Sequence, residues 1–350
     1  MAYTTIDNPE LYFQAKNYSG NASTNAITLD GSENMQPDMV WLKSRSFSQN
    51  HELYDSVRTA TKRLYPNGTY VEDTNSTGVT AFNSDGFTLG SSNAINKSGE
   101  TFASWNWKAS GTSISNSSGS NGATLASAGI KNDTAGISIV TYTGDGNART
   151  VFHGLSSCDM VIHKCLNNAE NWGVQHKDIG AAYQLQLDTT IAKVDKSGNG
   201  SMALPAANVF SVNNSGQWGA ARNYVAYAFR SVKGYSSMGS YTGNGEITNG
   251  AFVYLGFKPA FIMLKKHDAA SYWSIMDNKR PNSFNTIDDT LKPNVTDAES
   301  DIGDFDFLSN GFKIYANTGN VNGSGSNYIY MAFAESPFVT GSSAVPTTAR

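Results

Sequence analysis

The chain has 350 residues, among them 33 Gly, 41 Ser, 35 Asn and 29 Thr, but charged residues make up only 15%, well under the roughly 25% of an ordinary soluble domain. That balance excludes a coiled coil or helical bundle, and the 17 Tyr, 17 Phe and 6 Trp exclude a disordered chain. A net charge of −4 gives no broad attraction to nucleic acid, and no apolar run nears the ~20 residues of a membrane helix.

The opening Met1 to Thr5 has no basic region and no apolar stretch, so no secretory signal is expected. A turn signal, Tyr18-Ser19-Gly20-Asn21, is followed by the apolar strand Val40-Trp41-Leu42-Lys43. Eight residues after Lys43 a short second strand runs from His51 to Asp55. The run from Asp55 to Arg63 is the best helical signal, one or two turns. Gly86-Phe87-Thr88-Leu89 and the aromatic strand from Phe102 to Trp107 complete the unit. Next comes 110–135, whose Ser113 to Gly122 stretch has the composition of a flexible linker.

The same order then recurs twice. Tyr142-Thr143-Gly144 and Tyr241-Thr242-Gly243 repeat the turn, and strands ending in Lys164 and Lys265 repeat the apolar strand. Trp172 to His176 and Trp273 to Asp277 again begin eight residues after the lysine. Val209-Phe210-Ser211-Val212 and Gly311-Phe312-Lys313-Ile314 precede the aromatic strands Tyr224 to Phe229 and Tyr328 to Phe333. A recurring order at this spacing marks an internal repeat. The chain therefore divides into 1–109 (first repeat with an N-terminal arm), 110–135 (linker), 136–237 (second repeat), 238–338 (third repeat) and 339–350 (tail). Units two and three abut, so they are expected to pack on each other. Short strands rich in Val, Ile, Tyr, Phe and Trp, bounded by Gly, Asn and Ser, give the fold class: all-β, three consecutive antiparallel β-sandwiches of a jelly-roll-like kind, about 100 residues each.

No nucleophile elbow, phosphate loop or zinc-binding His-Glu-x-x-His is present. No catalytic, cofactor-binding or metal-binding residue is expected, and the chain is read as not an enzyme. Five histidines, His51, His153, His163, His176 and His267, read as structural or surface residues. Asp297, Glu299, Asp301, Asp304 and Asp306 read as a solvated acidic loop rather than a Ca²⁺ site, because their spacing departs from an EF-hand. Asp55 and Asp277 recur at one repeat position, which a fold needs and a single catalytic centre does not. Lys43, Lys164 and Lys265 are expected to pair with those aspartates or to snorkel at the sheet edge. Trp172, Trp218 and Trp273 are candidates for stacking on sugar rings. Cys158 and Cys165 read as reduced thiols.

Several stretches resemble a known family. Met1-Ala2-Tyr3-Thr4-Thr5-Ile6-Asp7-Asn8-Pro9-Glu10-Leu11-Tyr12-Phe13-Gln14 and Gly31-Ser32-Glu33-Asn34-Met35-Gln36-Pro37-Asp38 look like the start of a tailed-bacteriophage virion protein family. Tyr54-Asp55-Ser56-Val57-Arg58, Gly239 to Gly245, Met331 to Glu335 and Val345 to Arg350 are similar to it as well. The family occurs in phages of marine and freshwater bacteria, of cyanophage or pelagiphage type, and its members are described as tail fibres or structural proteins. Asp145 and Cys158-Asp159 depart from the pattern, which puts the loops of unit two in doubt rather than its fold.

The resemblance implies a phage virion structural protein, foremost a tail fibre or receptor-binding component attaching to the host surface. A capsid decoration or head-fibre protein is the alternative, and a glycan-degrading depolymerase the alternative of another class. Expected partners are other virion proteins, copies of the chain (a trimer favoured) and a host cell-surface glycan, with neither nucleic acid nor membrane insertion. Three similar units also permit one chain to imitate a trimer. The expected location is the virion, after synthesis in the host cytoplasm.

Overall fold

The computed structural model describes residues 3–199, 204, 208–280 and 285–340, so most of the tail 339–350 lies outside the described residues. Three four-strand sets share one order, in which the first strand pairs with the last, the last with the second and the second with the third. They are Phe13–Ser19, Thr101–Trp107, Met39–Ser44 and Glu52–Asp55 in unit one; Ile137–Thr143, Asn223–Phe229, Met160–Cys165 and Gly173–His176 in unit two; and Ser236–Thr242, Asn327–Pro337, Phe257–Lys266 and Trp273–Asp277 in unit three. Every pairing is antiparallel.

Each set faces a second sheet. Asn25–Thr28, Gly86–Leu89 and Val79–Asn83 form it in unit one, Arg149–Phe152 and Val209–Val212 in unit two. Phe252–Tyr254, Gly311–Tyr315, Ser300–Leu308 and Ile287–Thr290 form it in unit three. Val40, Leu42 and Phe87 lie in the core between the two sheets of unit one, Val161 and Phe210 in that of unit two, and Ile262, Leu264 and Phe312 in that of unit three. The all-β sandwich architecture expected from the composition is the one observed.

The alternate residues of the same strands point the other way. Met39 and Trp41, Met160 and Ile162, and Phe261 and Met263 meet in a single further core shared by all three units. This explains why the lysine strands read as unbroken apolar runs, since period-two alternation vanishes when a strand is buried on both faces. Trp105 and Trp107 of unit one and Phe333 of unit three pack there around Phe261. The remaining space at this centre is an apolar gap lined by Met39, Trp107, Ile162, Tyr227, Phe261 and Met331, too narrow for a ligand.

The ends of this three-unit body differ. The arm residue Ile6 belongs to the shared core, as do Ala109, Ala135 and Val232. The Tyr3 hydroxyl and the Phe338 amide both donate to the Gly256 carbonyl, at 2.8 and 3.2 Å, so the two ends of the described chain meet there. The opposite end is where the three lysine strands finish.

Two expectations need correction. Residues 110–135 are not a free linker: Thr112–Asn116 and Ser127–Asn132 pair with each other and extend one edge of the unit-two sheet, which Tyr183–Gln186 and Val194–Asp195 extend at the other edge to eight strands in all. Ile114 and Leu125, buried in the unit-two core, anchor a hairpin whose exposed positions carry the serines. The Asp55 to Arg63 run is not helical either. The Asp55 carboxylate accepts from the Arg58 amide at 2.8 Å, closing a turn, and Thr59 and Thr61 have φ of 79° and 69°, which no helix accommodates.

Candidate functional site

The recurring side chains converge where one unit meets the next. Lys43, Lys164 and Lys265 are fully buried. They neither snorkel nor reach the aspartates, because their alternation turns them towards the neighbouring unit. Lys164 Nζ donates to the Thr69 carbonyl of unit one at 3.2 Å, and Lys265 Nζ to the Thr190 carbonyl of unit two at 2.9 Å. Lys43 Nζ donates to the Thr296 carbonyl of unit three at 3.2 Å, which closes a ring. Each ammonium also bonds a carbonyl of its own unit: Ser44, Cys165 and Ser271 respectively. Burial away from water lowers Lys43 and Lys164 to about 8 and Lys265 to about 7.

The residue eight places after each lysine makes a second link. Trp172 Nε1 donates to the Tyr65 carbonyl at 2.8 Å and Trp273 Nε1 to the Gln186 carbonyl at 2.9 Å. In unit one this place is His51. Trp41 Nε1 donates to its Nδ1 at 3.0 Å, which assigns the ring proton to Nε2, 3.0 Å from the Lys292 carbonyl. Burial holds His51 well below the usual histidine range, so the ring is neutral. Trp218 lies in the unit-two core and donates to Gln184. All three tryptophans are buried, so none offers a ring face to a sugar. Two of them are taken up by the junctions, whose acceptors come from a distant part of the chain.

A third link uses the last residue of the same strand. Asp277 Oδ2 accepts from Trp105 Nε1 of unit one at 2.8 Å and from Arg280 Nε at 2.6 Å. Asp55 Oδ2 accepts from the Tyr227 hydroxyl of unit two at 2.6 Å and from Arg58 Nε at 2.6 Å. Glu299 and Glu72 take the free ends of the two guanidiniums. In unit two His176 stands in the aspartate's place, Ile179 in the arginine's, and Met331 in the register position of Trp105 and Tyr227. Among the described residues this third junction is built without an ion pair.

These groups are arranged to hold units together. The paired carboxylates are spent on guanidiniums, and the thiols are buried, with Cys158 pushed up to about 12 by burial. His153 and His176 are lowered to about 4 by burial. His163 in unit two and His267 in unit three are both buried. No group of three His, Cys, Asp or Glu suited to a metal occurs among the described residues. The acidic run is solvated only in part. Asp297 is an exposed loop residue, but Ser300–Leu308 is a strand in which Asp301 and Asp304 are exposed while Asp306 is buried between the core residues Phe305 and Phe307, and Glu299 binds Arg45 and Arg280. No helix among the described residues is long and apolar enough to cross a membrane.

Outside the junctions, two open concavities stand out. One, of about 630 Å³, is lined by hydroxyls and amides of unit two, including Ser115, Thr141 and Asn223. The other, of about 520 Å³, lies at the end where the described chain begins, between Tyr3, Asp133, Arg230 and Lys233. The acceptors Thr69, Thr190 and Thr296 were missed by the sequence reading. A signal for them existed: each threonine follows the acceptor of the ring N–H (Tyr65, Gln186, Lys292) by four residues.

A search of curated proteins found no match to the chain, and a search of solved structures found none either. A family model described as a domain of unknown function, DUF7483, matches residues 8–337, which takes in all three units and every junction. The chain belongs to the DUF7483 family.

Proposed function

We propose that the chain is a structural protein of a bacteriophage virion, acting as a tail-fibre or receptor-binding component. The observation that carries this is the closed ring: three sandwiches in one chain, joined by lysine-to-threonine links that run from unit two to one, three to two and one to three. Attachment parts commonly use three-fold symmetry to cover sheet edges and present several faces at once. Here one chain supplies that shape, so a single copy takes the place of a trimer. A surface made polar by hydroxyls and amides stays solvated over a wide range of salt, as a particle outside a cell requires.

Immunogold labelling of intact virions with an antibody to the chain tests the reading. Label on the tail is expected. Label confined to the head shell overturns the tail assignment in favour of a capsid decoration protein, and unlabelled particles overturn the virion reading altogether.

A further inference from the structure

The geometry points to the lysine end of the ring as a binding face for a neutral saccharide chain, with Tyr70 and Tyr272 as the stacking residues. The two ends of the described chain meet at Gly256, at the opposite end, so this end is the one turned away from them. It carries apolar side chains that the fold does not bury: Tyr70 is 58% exposed, Ile191 39% and Tyr272 37%. Tyr70 and Ile191 each follow the threonine whose carbonyl takes a lysine, so they occupy the same place on two units. Tyr272 precedes the junction tryptophan of unit three, and the amide of its neighbour Ser271 donates to the Thr190 carbonyl at 2.8 Å, which sets it beside Ile191.

Both tyrosines are held rather than loose. Tyr70 packs on Tyr65 with ring centroids 5.2 Å apart, and Lys292 Nζ lies 5.2 Å from the Tyr272 ring centre. A rigid tyrosine with an open face offers apolar area to the C–H face of a pyranose at little entropic cost. Several charges nearby are matched, Glu72 by Arg58 and Lys62 and Lys292 by Asp297, and Lys193 is turned to the Ile179 carbonyl and the Tyr183 ring. A neutral sugar fits this surface better than an anionic one. A protein partner fits less well, because the exposed apolar residues form two small groups, Tyr70 with Val71 and Ile191 with Tyr272, rather than one continuous patch.

This deepens the attachment reading and rests on it, but its test needs no virion. Saturation-transfer NMR of the full chain with malto-, cello- and manno-pentaose reads binding directly. Transfer to at least one of them is expected, reduced fivefold or more in Tyr70→Ala/Tyr272→Ala, retained in Tyr70→Phe/Tyr272→Phe, and unchanged in Tyr254→Ala at the opposite end. Unaltered circular dichroism and melting temperature guard against a folding defect. No transfer from the wild type, transfer that persists in the double alanine variant, or loss in Tyr254→Ala overturns the inference. Saccharide binding without virion labelling keeps this inference and removes the virion reading.

Discussion

Lys265 hands an ammonium proton to the carbonyl oxygen of Thr190 across the boundary between units three and two, at 2.9 Å, with the whole side chain out of water. Lys164 with Thr69 and Lys43 with Thr296 repeat this contact at the other two boundaries. A buried cation held only by carbonyls is a costly connector, and its cost depends on pH.

The pH dependence has a definite sign. A lysine lowered from 10.5 to about 7 or 8 in the folded chain loses its proton there before it does in the unfolded chain. The unfolded state then binds more protons, so stability rises with pH through that window. Urea unfolding between pH 7 and 8.5, below most of the titration of cysteine and tyrosine in the unfolded chain, should show midpoints that increase with pH. Lys265→Met should flatten that slope by about a third, and a wild-type slope of zero would contradict this account.

Removing one member of the Asp277 network leaves Arg280 buried with its charge only partly matched. Asp277→Ala should cost about 3–5 kcal/mol, the usual penalty for breaking a buried pair from one side, read from the urea midpoint.

The third junction predicts the converse. His176→Asp installs the residue used by the other two units, yet it should destabilise by several kcal/mol, because the side chains of Ile179 and Met331 offer no donor to the oxygen that arginine and Trp105 or Tyr227 hold elsewhere. Adding Ile179→Arg should recover part of the loss, which a double-mutant cycle would read as a favourable coupling.

Trp273→Phe keeps most of the ring but removes the N–H that bonds Gln186. A loss of about 1–2 kcal/mol is expected, and about 3–5 kcal/mol for Trp273→Ala, measured by chemical denaturation.

Because the ring closes within one chain, light scattering should give the mass of one copy, 37.5 kDa, with a melting temperature independent of concentration. A mass of three copies would show that the junctions do not satisfy the chain by themselves.

Much of the fold was legible in the sequence because period and turn chemistry are local. The tyrosines of the turns Tyr18, Tyr142 and Tyr241 each stack on the facing residue of the aromatic strand, Phe102, Tyr224 and Tyr328, with interplanar angles of 15°, 12° and 9°. The functions of Lys43, Trp172 and Asp277 were not legible, since their partners lie in other units. Trp172 bonds a residue 107 positions away and Trp105 one 172 away, and no local pattern encodes such distances. The serines of 113–120 misled for another reason: on a half-exposed hairpin they occupy outward positions, where a linker composition and an edge strand look alike.

The junction with His176 and Met331 shows what linking three sandwiches in one chain permits. In an assembly of identical copies every substitution is made three times, and no boundary can differ from the others. Here each boundary is specified once. One can abandon its ion pair for apolar packing while two keep theirs, and the tips Tyr70, Ile191 and Asp297 can differ while the scaffold beneath stays the same. The result is a three-unit body in which each boundary and each tip can change without the other two.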